Sequence, residues 1–196
     1  MDNLFNNKYR IPSARLQSWN YANEGMYFIT ICTKNRINYF GEIGANGLDG
    51  PTLQPTEIGK IAHSQWYKSV ELRPDMNLEL GEFVVMPNHT HGILIIDKMD
   101  TINVETLQCN VSTTNATNKN EQMAKISPQS GTISTIIRSY KSVASKNARL
   151  IHADFTWQSR FHDHIIRDSQ SFENIQHYIT NNPINWNKDK FYKNDV

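Results

Sequence analysis

The chain is poor in cysteine, has no long apolar run and carries almost no net charge, and each shortage closes a class of function. Cys32 and Cys109 are the two cysteines in 196 residues. They form no Cys-x-x-Cys pair, and two thiols cannot build a disulfide scaffold, so a reducing compartment is expected. No stretch approaches the roughly 20 apolar residues of a membrane-spanning helix. Met1-Asp2-Asn3-Leu4-Phe5 lacks the continuous apolar core of an export signal, which points to a cytoplasmic protein. Twenty Lys and Arg against 19 Asp and Glu leave a formal charge of +1, so any nucleic-acid surface must be a local patch. A hydrophobic share of 38% and a charged share of 20% fit one globular domain over residues 1–196, with room for an arm or insertion.

What is present centres on Phe83-Val84-Val85-Met86-Pro87-Asn88-His89-Thr90-His91-Gly92-Ile93-Leu94-Ile95-Ile96. It reads as two buried strands joined by a tight Pro-Asn turn. Side chains two apart on a strand share a face, so His89 and His91 present two imidazoles about 7 Å apart at Cα, able to converge on one ion. Burying two imidazoles costs free energy unless something binds them; simple hydrogen bonding inside the sheet is the bland alternative.

Around this centre the elements follow in order. Residues 1–24 form a polar arm in which Lys8, Arg10 and Arg15 interleave with Tyr9, Trp19 and Tyr21, a mixture suited to a phosphate backbone or to ordinary packing. Met26 to Thr33 is dense in β-branched and aromatic residues and reads as the first strand. A Gly- and Pro-rich connector spans 41–55. Thr56 caps a helix to about Val70, ended by Arg73-Pro74. The second strand runs from near Leu78 to Met86, and the third carries the histidines. Residues 98–131, rich in Asn, Thr, Ser and Gln, have no sustained apolar period and read as a flexible insertion. From Gly131 to Arg149, Ile133, Ile136, Ile137, Tyr140, Val143, Ala144 and Ala148 recur at three and four and line one helical face. Arg138, Lys141, Lys146 and Arg149 lie mainly off it, the most concentrated cationic surface in the chain. Trp157 to Ile166 reads as a fourth strand. Asp168 or Ser169 caps a last helix, stopped by Asn181-Asn182-Pro183, and residues 168–196 form a C-terminal helix and tail.

The order β, α, β, β, α, β plus a helix fits an α+β, ferredoxin-like split βαβ sandwich with an antiparallel sheet. The third strand is then central, and the last helix or a second subunit covers one of its faces. In this arrangement the histidine pair is expected to meet the inner face of the 132–149 helix, which carries one aromatic hydroxyl, Tyr140. Two imidazoles, a divalent metal and a tyrosine suggest phosphoryl transfer on DNA, with a phenolate as nucleophile. A packed core tyrosine is the plain alternative. His162 and His164 share a face of the fourth strand, an edge strand about 10 Å from the third, and read as structural or DNA-facing rather than as ligands to the same ion.

The stretch Met86-Pro87-Asn88-His89-Thr90-His91-Gly92 resembles the HUH motif of single-tyrosine transposases. The likeness extends over Tyr27 to Arg36, Phe40 to Ile43, Ile136 to Ser142, Trp157-Gln158, His164 to Arg167, and Tyr178-Ile179 with Asn182-Pro183, nearest the REP-associated tyrosine transposase-like branch. The resemblance implies a nuclease and strand-transferase, associated with the nucleoid when on DNA. Its substrate would be single-stranded DNA with hairpins at transposon or repeat ends. Mg²⁺ or Mn²⁺ would sit on His89 and His91, and tyrosine attack would give a 5′-phosphotyrosine and a free 3′-hydroxyl. Tyr140 is the expected nucleophile, with Tyr178 in reserve. Arg138, Lys141, Lys146, Arg149 and Arg15 are the expected DNA contacts, and a homodimer is a further expectation. Two positions depart from the pattern. Thr90 replaces the usual apolar residue between the histidines, with its side chain away from the metal face. A polar metal ligand is often found one turn after the tyrosine, where this chain has Ala144. Either a third ligand comes from elsewhere or from water, or Tyr140 is not the nucleophile. A hairpin-DNA-binding relative without catalysis, and a metal-dependent hydrolase using a water, stay open as rivals.

Overall fold

A computed structural model describes residues 19–21, 23–45, 50–97 and 131–192. Arg15 with most of the 1–24 arm, Cys109 with nearly all of the 98–131 insertion, and the last four residues of the tail lie outside the described residues. The elements in chain order are β1 (Gly25–Cys32), β2 (Gly41–Ala45), β3 (Pro51–Pro55), α1 (Glu57–Glu71), β4 (Leu78–Met86), β5 (His89–Ile96), α2 (Ile133–Ala148), β6 (His162–Ile166) and α3 (Ser169–Thr180). Four strands form one antiparallel sheet in the order β4-β5-β1-β6, so the histidine strand is internal and β6 is an edge with β1 between them. This is the split βαβ arrangement expected from the element order, and no helix among the described residues is long and apolar enough to cross a membrane.

Local chemistry sets the boundaries of these elements. The Thr56 hydroxyl accepts from the Gly59 N–H at the start of α1, and Asp168 accepts from the Ser171 N–H at the start of α3, each satisfying a donor that the first turn leaves free. Two elements differ from expectation. The 41–55 connector contains the β2–β3 hairpin, whose five-residue strands are too short and Gly/Pro-rich to show a clear alternation. The fourth strand begins at His162 rather than Trp157, because the segment before it turns inward: Phe155 and Trp157 are buried, and Trp157 only bridges Thr33.

Both crossover helices, α1 and α2, pack on one face of the sheet, as two right-handed βαβ connections require. Tyr27, Ile29, Ile31, Leu94 and Ile96 meet Ile58, Ala62 and Trp66 of α1 and Ile133, Ile136, Ile137, Tyr140 and Ala144 of α2. The third helix covers the other face, where Phe172, Ile175 and Ile179 pack on Phe28, Ile93 and Ile166. The choice left open between the last helix and a second subunit is thus resolved within the chain.

On the α1 side the sheet approaches unusually closely at Gly92. A Cβ there would lie 2.5 Å from Cζ2 of Trp66 and 2.8 Å from Cδ2 of Phe83, two rings stacked with centroids 4.6 Å apart. Neither ring can retreat from a packed core without opening space elsewhere. The Gly92→Ala variant is expected to lose about 1–3 kcal/mol in urea unfolding; an unchanged midpoint would contradict this packing.

Candidate functional site

Strand periodicity decides what surrounds the histidines. His89 pairs with Cys32 and Met86, and His91 with Thr30 and Val84, so all of these side chains share the α3 face. Thr90 points the other way, toward α2. The expected meeting of the histidines with the inner face of α2 is therefore corrected: Tyr140 lies across the sheet from them. It is 2% exposed, donates its hydroxyl to the Ala62 carbonyl at 3.0 Å, and packs edge-on to Trp66. Burial pushes its phenol well up, with a hydrogen bond to Thr90 opposing slightly. That is the chemistry of a core tyrosine. Ala144 sits on the same buried stripe, so its lack of a ligand atom has no bearing on the histidine face.

The tyrosine on the histidine side is Tyr178 of α3. Its hydroxyl lies 3.2 Å from Nε2 of His91, and its ring stands edge-on to Phe28. At 43% exposure it is open to a substrate. Burial of its inner part raises its pKa, helped by the charge of Asp189 and opposed by a hydrogen bond with Asn182. Asn182, one helical turn after Tyr178, is buried, and its Oδ1 has no hydrogen-bond partner among the described residues.

The imidazoles are oriented from behind. The Asn88 amide nitrogen lies within hydrogen-bond distance of the Arg36 carbonyl (3.3 Å), Asn38 Oδ1 (3.1 Å) and the Phe191 carbonyl (3.0 Å). Three acceptors on that side fix the amide, so Asn88 Oδ1 faces Nδ1 of His89 at 2.9 Å and must accept from it. His89 then carries its proton on Nδ1 and keeps a bare lone pair on Nε2, a buried atom with no hydrogen-bond partner among the described residues. Nδ1 of His91 lies 2.9 Å from the Thr30 hydroxyl, which is able to accept its proton. Both rings thus resemble histidines oriented for metal through their far nitrogens.

A carboxylate completes the cluster. One ligand atom from each of His89, His91 and Asp189 can be chosen so that all lie within 4.8 Å of one another, a set able to hold a divalent cation. Asp189 is fixed by the Phe191 N–H at 2.6 Å and Asn182 Nδ2 at 3.5 Å. Burial, followed by the neighbouring His91, Arg36 and Lys190 charges, holds His89 well below the usual imidazole range. Burial, with Lys190 and His162 adding, lowers His91 to about 3. Both rings are therefore neutral at ordinary pH, the form that coordinates metal. The pocket beside His91 has a volume of about 590 Å³ and is lined by Phe28, His91, His162, Tyr178, Asn182, Lys188, Asp189 and Lys190.

No family model matches the sequence. An uncharacterized protein of Haemophilus influenzae is 36% identical over 188 residues, covering 92% of each chain. The chain belongs to one family with that protein. A solved structure described as the REP-associated tyrosine transposase bound to a REP hairpin matches with a TM-score of 0.55 and 18% identity, over 92% of this chain and 77% of that one. The fold is that of a tyrosine transposase. The resemblance read from Met86 to Gly92 is thereby borne out at the level of the fold, and the histidines lie on an internal strand of this transposase fold.

Sequence reasoning missed Asp189 and Asn182. Asp189 is a lone acid between two lysines, almost 100 residues from His91, and no local period marks it. Asn182 was readable, since Tyr178 and Asn182 stand one turn apart, the spacing sought and not found after Tyr140. Of the expected DNA contacts, Arg138, Lys141, Lys146 and Arg149 line one groove beside α2, away from the pocket. His162 lines the pocket, and neither it nor His164 joins a described metal-capable cluster.

The buried neutral rings make stability pH-dependent. The folded pKa of His91, about 3, lies below its ordinary 6.5, so between these values the unfolded chain binds the extra proton. Its contribution is complete above that ordinary value and is lost as the pH falls toward the folded value, by about 1.4 kcal/mol per pH unit. In chelator-treated protein, urea unfolding between about pH 7 and pH 5 should weaken wild type more than His91→Gln; equal slopes would contradict a buried neutral His91.

Proposed function

We propose that the chain is a metal-dependent endonuclease and strand-transferase for single-stranded DNA, with Tyr178 as the nucleophile and hairpin-bearing ends as substrate. The observation that carries this reading is the Tyr178 hydroxyl, 3.2 Å from Nε2 of His91 in an open pocket that also holds Asp189. Its support is the transposase fold, shared with a protein whose structure was solved on a REP hairpin.

His89, His91 and Asp189 would hold Mg²⁺ or Mn²⁺, with the orphaned Asn182 Oδ1 at hand. When bound, such an ion polarises a phosphate and neutralises charge as it develops. The chain's own residues do the rest. Asn88 and Thr30 keep the two rings fixed. Tyr178, 43% exposed, gives up its phenolic proton to solvent and its oxygen attacks phosphorus in line. The P–O3′ bond breaks, the departing 3′-oxygen takes up a proton, and the 5′-phosphate stays on Tyr178. Attack of a 3′-hydroxyl on that phosphotyrosine reverses the step and rejoins strands, with no external energy source. Burial raises the Tyr178 pKa in the protein alone, and a cation held by His89, His91 and Asp189 would favour its ionised form. The main motive for a catalytically silent relative, the missing polar residue after Tyr140, disappears once Tyr178 and Asn182 take those roles.

Detection of a covalent protein–DNA adduct on denaturing gels tests this reading, with Mn²⁺ and single-stranded hairpin substrates drawn from the flanks of the gene. Wild type and Tyr140→Phe should form the adduct. His89→Ala and Tyr178→Phe should lose it, by at least about 10³-fold for removal of a nucleophile. An adduct that survives in Tyr178→Phe and vanishes in Tyr140→Phe would overturn the assignment. Cleavage without any adduct would favour a hydrolase using a water.

A further inference from the structure

The cations of α2 belong to a larger feature that the active-site pocket does not use. Arg138, Lys141, Lys146 and Arg149 line a groove of about 640 Å³ whose other wall is the segment 156–159. The same segment walls a second groove of about 1030 Å³, which adds Lys34, Arg36 and Arg160. Among the described residues, no carboxylate lines either groove. The described salt bridge, Lys60 with Glu57, lies elsewhere on α1.

Several of these cations are held by backbone carbonyls instead of acids. The Lys141 ammonium donates to the Gln158 carbonyl, Nε of Arg149 to the Phe155 carbonyl at 3.0 Å, and Nη1 of Arg36 to the Lys190 carbonyl at 3.1 Å. A carbonyl fixes a cation in place without neutralising it. Among the described residues the positive charge along the grooves is therefore both ordered and uncompensated, the condition for attracting a polyanion. Burial lowers Lys141 to about 8, a cost that a neighbouring anion would offset. Ser142, Ser145, Thr156 and Ser159 add hydroxyl groups able to bond phosphate oxygens.

The grooves also lead somewhere. Arg36 of the second groove is bonded to the carbonyl of Lys190, and Lys190 lines the pocket of His91 and Tyr178. The Arg36 guanidinium lies 4.7 Å over the Phe191 ring, which in turn sits tilted against the His89 ring with centroids 4.7 Å apart. A chain of phosphates leaving the pocket past Lys190 and Arg36 would run along segment 156–159 to Lys146 and Arg149.

We propose that these two grooves form a continuous track for the single-stranded flank of the DNA substrate, binding its phosphodiester backbone without reading sequence. This rests on the strand-transfer reading for its substrate class. A concave track walled by α2 and the 34–36 turn on one side and by segment 156–159 on the other suits one strand, whereas a hairpin stem would need a broader seat. The track supplies affinity and holds the flank in register with Tyr178, and it takes no part in the chemistry.

The test uses the full chain and three exposed cations with no described hydrogen bond: Arg138→Gln, Lys146→Gln and Arg160→Gln combined. Fluorescence anisotropy would follow binding of a hairpin with a single-stranded tail, and of the same hairpin without it, across a salt series. For the tailed hairpin, the slope of log affinity against log salt should fall by about 2, since each single-strand phosphate contact contributes about 0.7. Affinity at moderate salt should drop at least tenfold, while the blunt hairpin binds as in wild type. Unchanged slope and affinity on the tailed hairpin would overturn the proposal, and so would equal losses on both, which would assign the groove to the stem. Tyr178→Phe keeps wild-type affinity for the tail if the track is separate from the chemistry. A failed adduct assay with an intact tail effect would therefore sink the strand-transfer reading alone, and the reverse would sink the track alone.

Discussion

One buried amide holds the site together. Asn88 is fully buried, and its nitrogen reaches the carbonyls of Arg36 and Phe191 as well as Asn38, while its oxygen takes the Nδ1 proton of His89. The turn after β1, the C-terminal strap that carries Asp189, and the first imidazole therefore share one group. Its own carbonyl accepts from the Thr33 N–H at 2.9 Å, which ties the knot to the end of β1. Asn35 and Arg36 in that turn both sit at positive φ, 58° and 56°, a conformation unfavourable for side-chain-bearing residues that persists because the surrounding bonds over-determine it. Without the amide, neither the tautomer of His89 nor the approach of Asp189 would be defined.

The two faces of the sheet divide the work. Toward α1 and α2 the contacts are apolar and aromatic, and their contribution is burial. The face toward α3 mixes a small apolar cluster with buried polar groups, three of which are the imidazoles and the Asn182 amide. Desolvated polar atoms without partners destabilise a fold, typically by about 1–3 kcal/mol each. Among the described residues the indole nitrogens of Trp66 and Trp157 are orphaned in the main core as well. What sets the α3 face apart is that the bare His89 Nε2 and Asn182 Oδ1 stand beside an exposed tyrosine and a carboxylate.

Much of this was legible in the sequence, for reasons that also explain what was not. The long helices and buried strands announced themselves by periodicity, and Thr56 and Asp168 marked helix starts through capping. The histidine pair was visible because two residues apart on a strand means one face. That same rule placed Thr90 opposite, yet it could not say which helix covers which face. The handedness of the two crossovers decides that, and it puts Tyr140 in the core and Tyr178 at the site. The β2–β3 hairpin escaped because Gly and Pro dominate it. Asp189 escaped because its partners are assembled by tertiary structure alone.

The central claim is that His89, His91 and Asp189 form a cation site beside Tyr178, and crystals grown with Mn²⁺ test it most directly. The anomalous difference map should place manganese within coordination distance of Nε2 of both histidines and of the Asp189 carboxylate, with the Tyr178 hydroxyl facing it. Manganese bound elsewhere, or both imidazoles still paired only with protein groups at saturating Mn²⁺, would contradict the account.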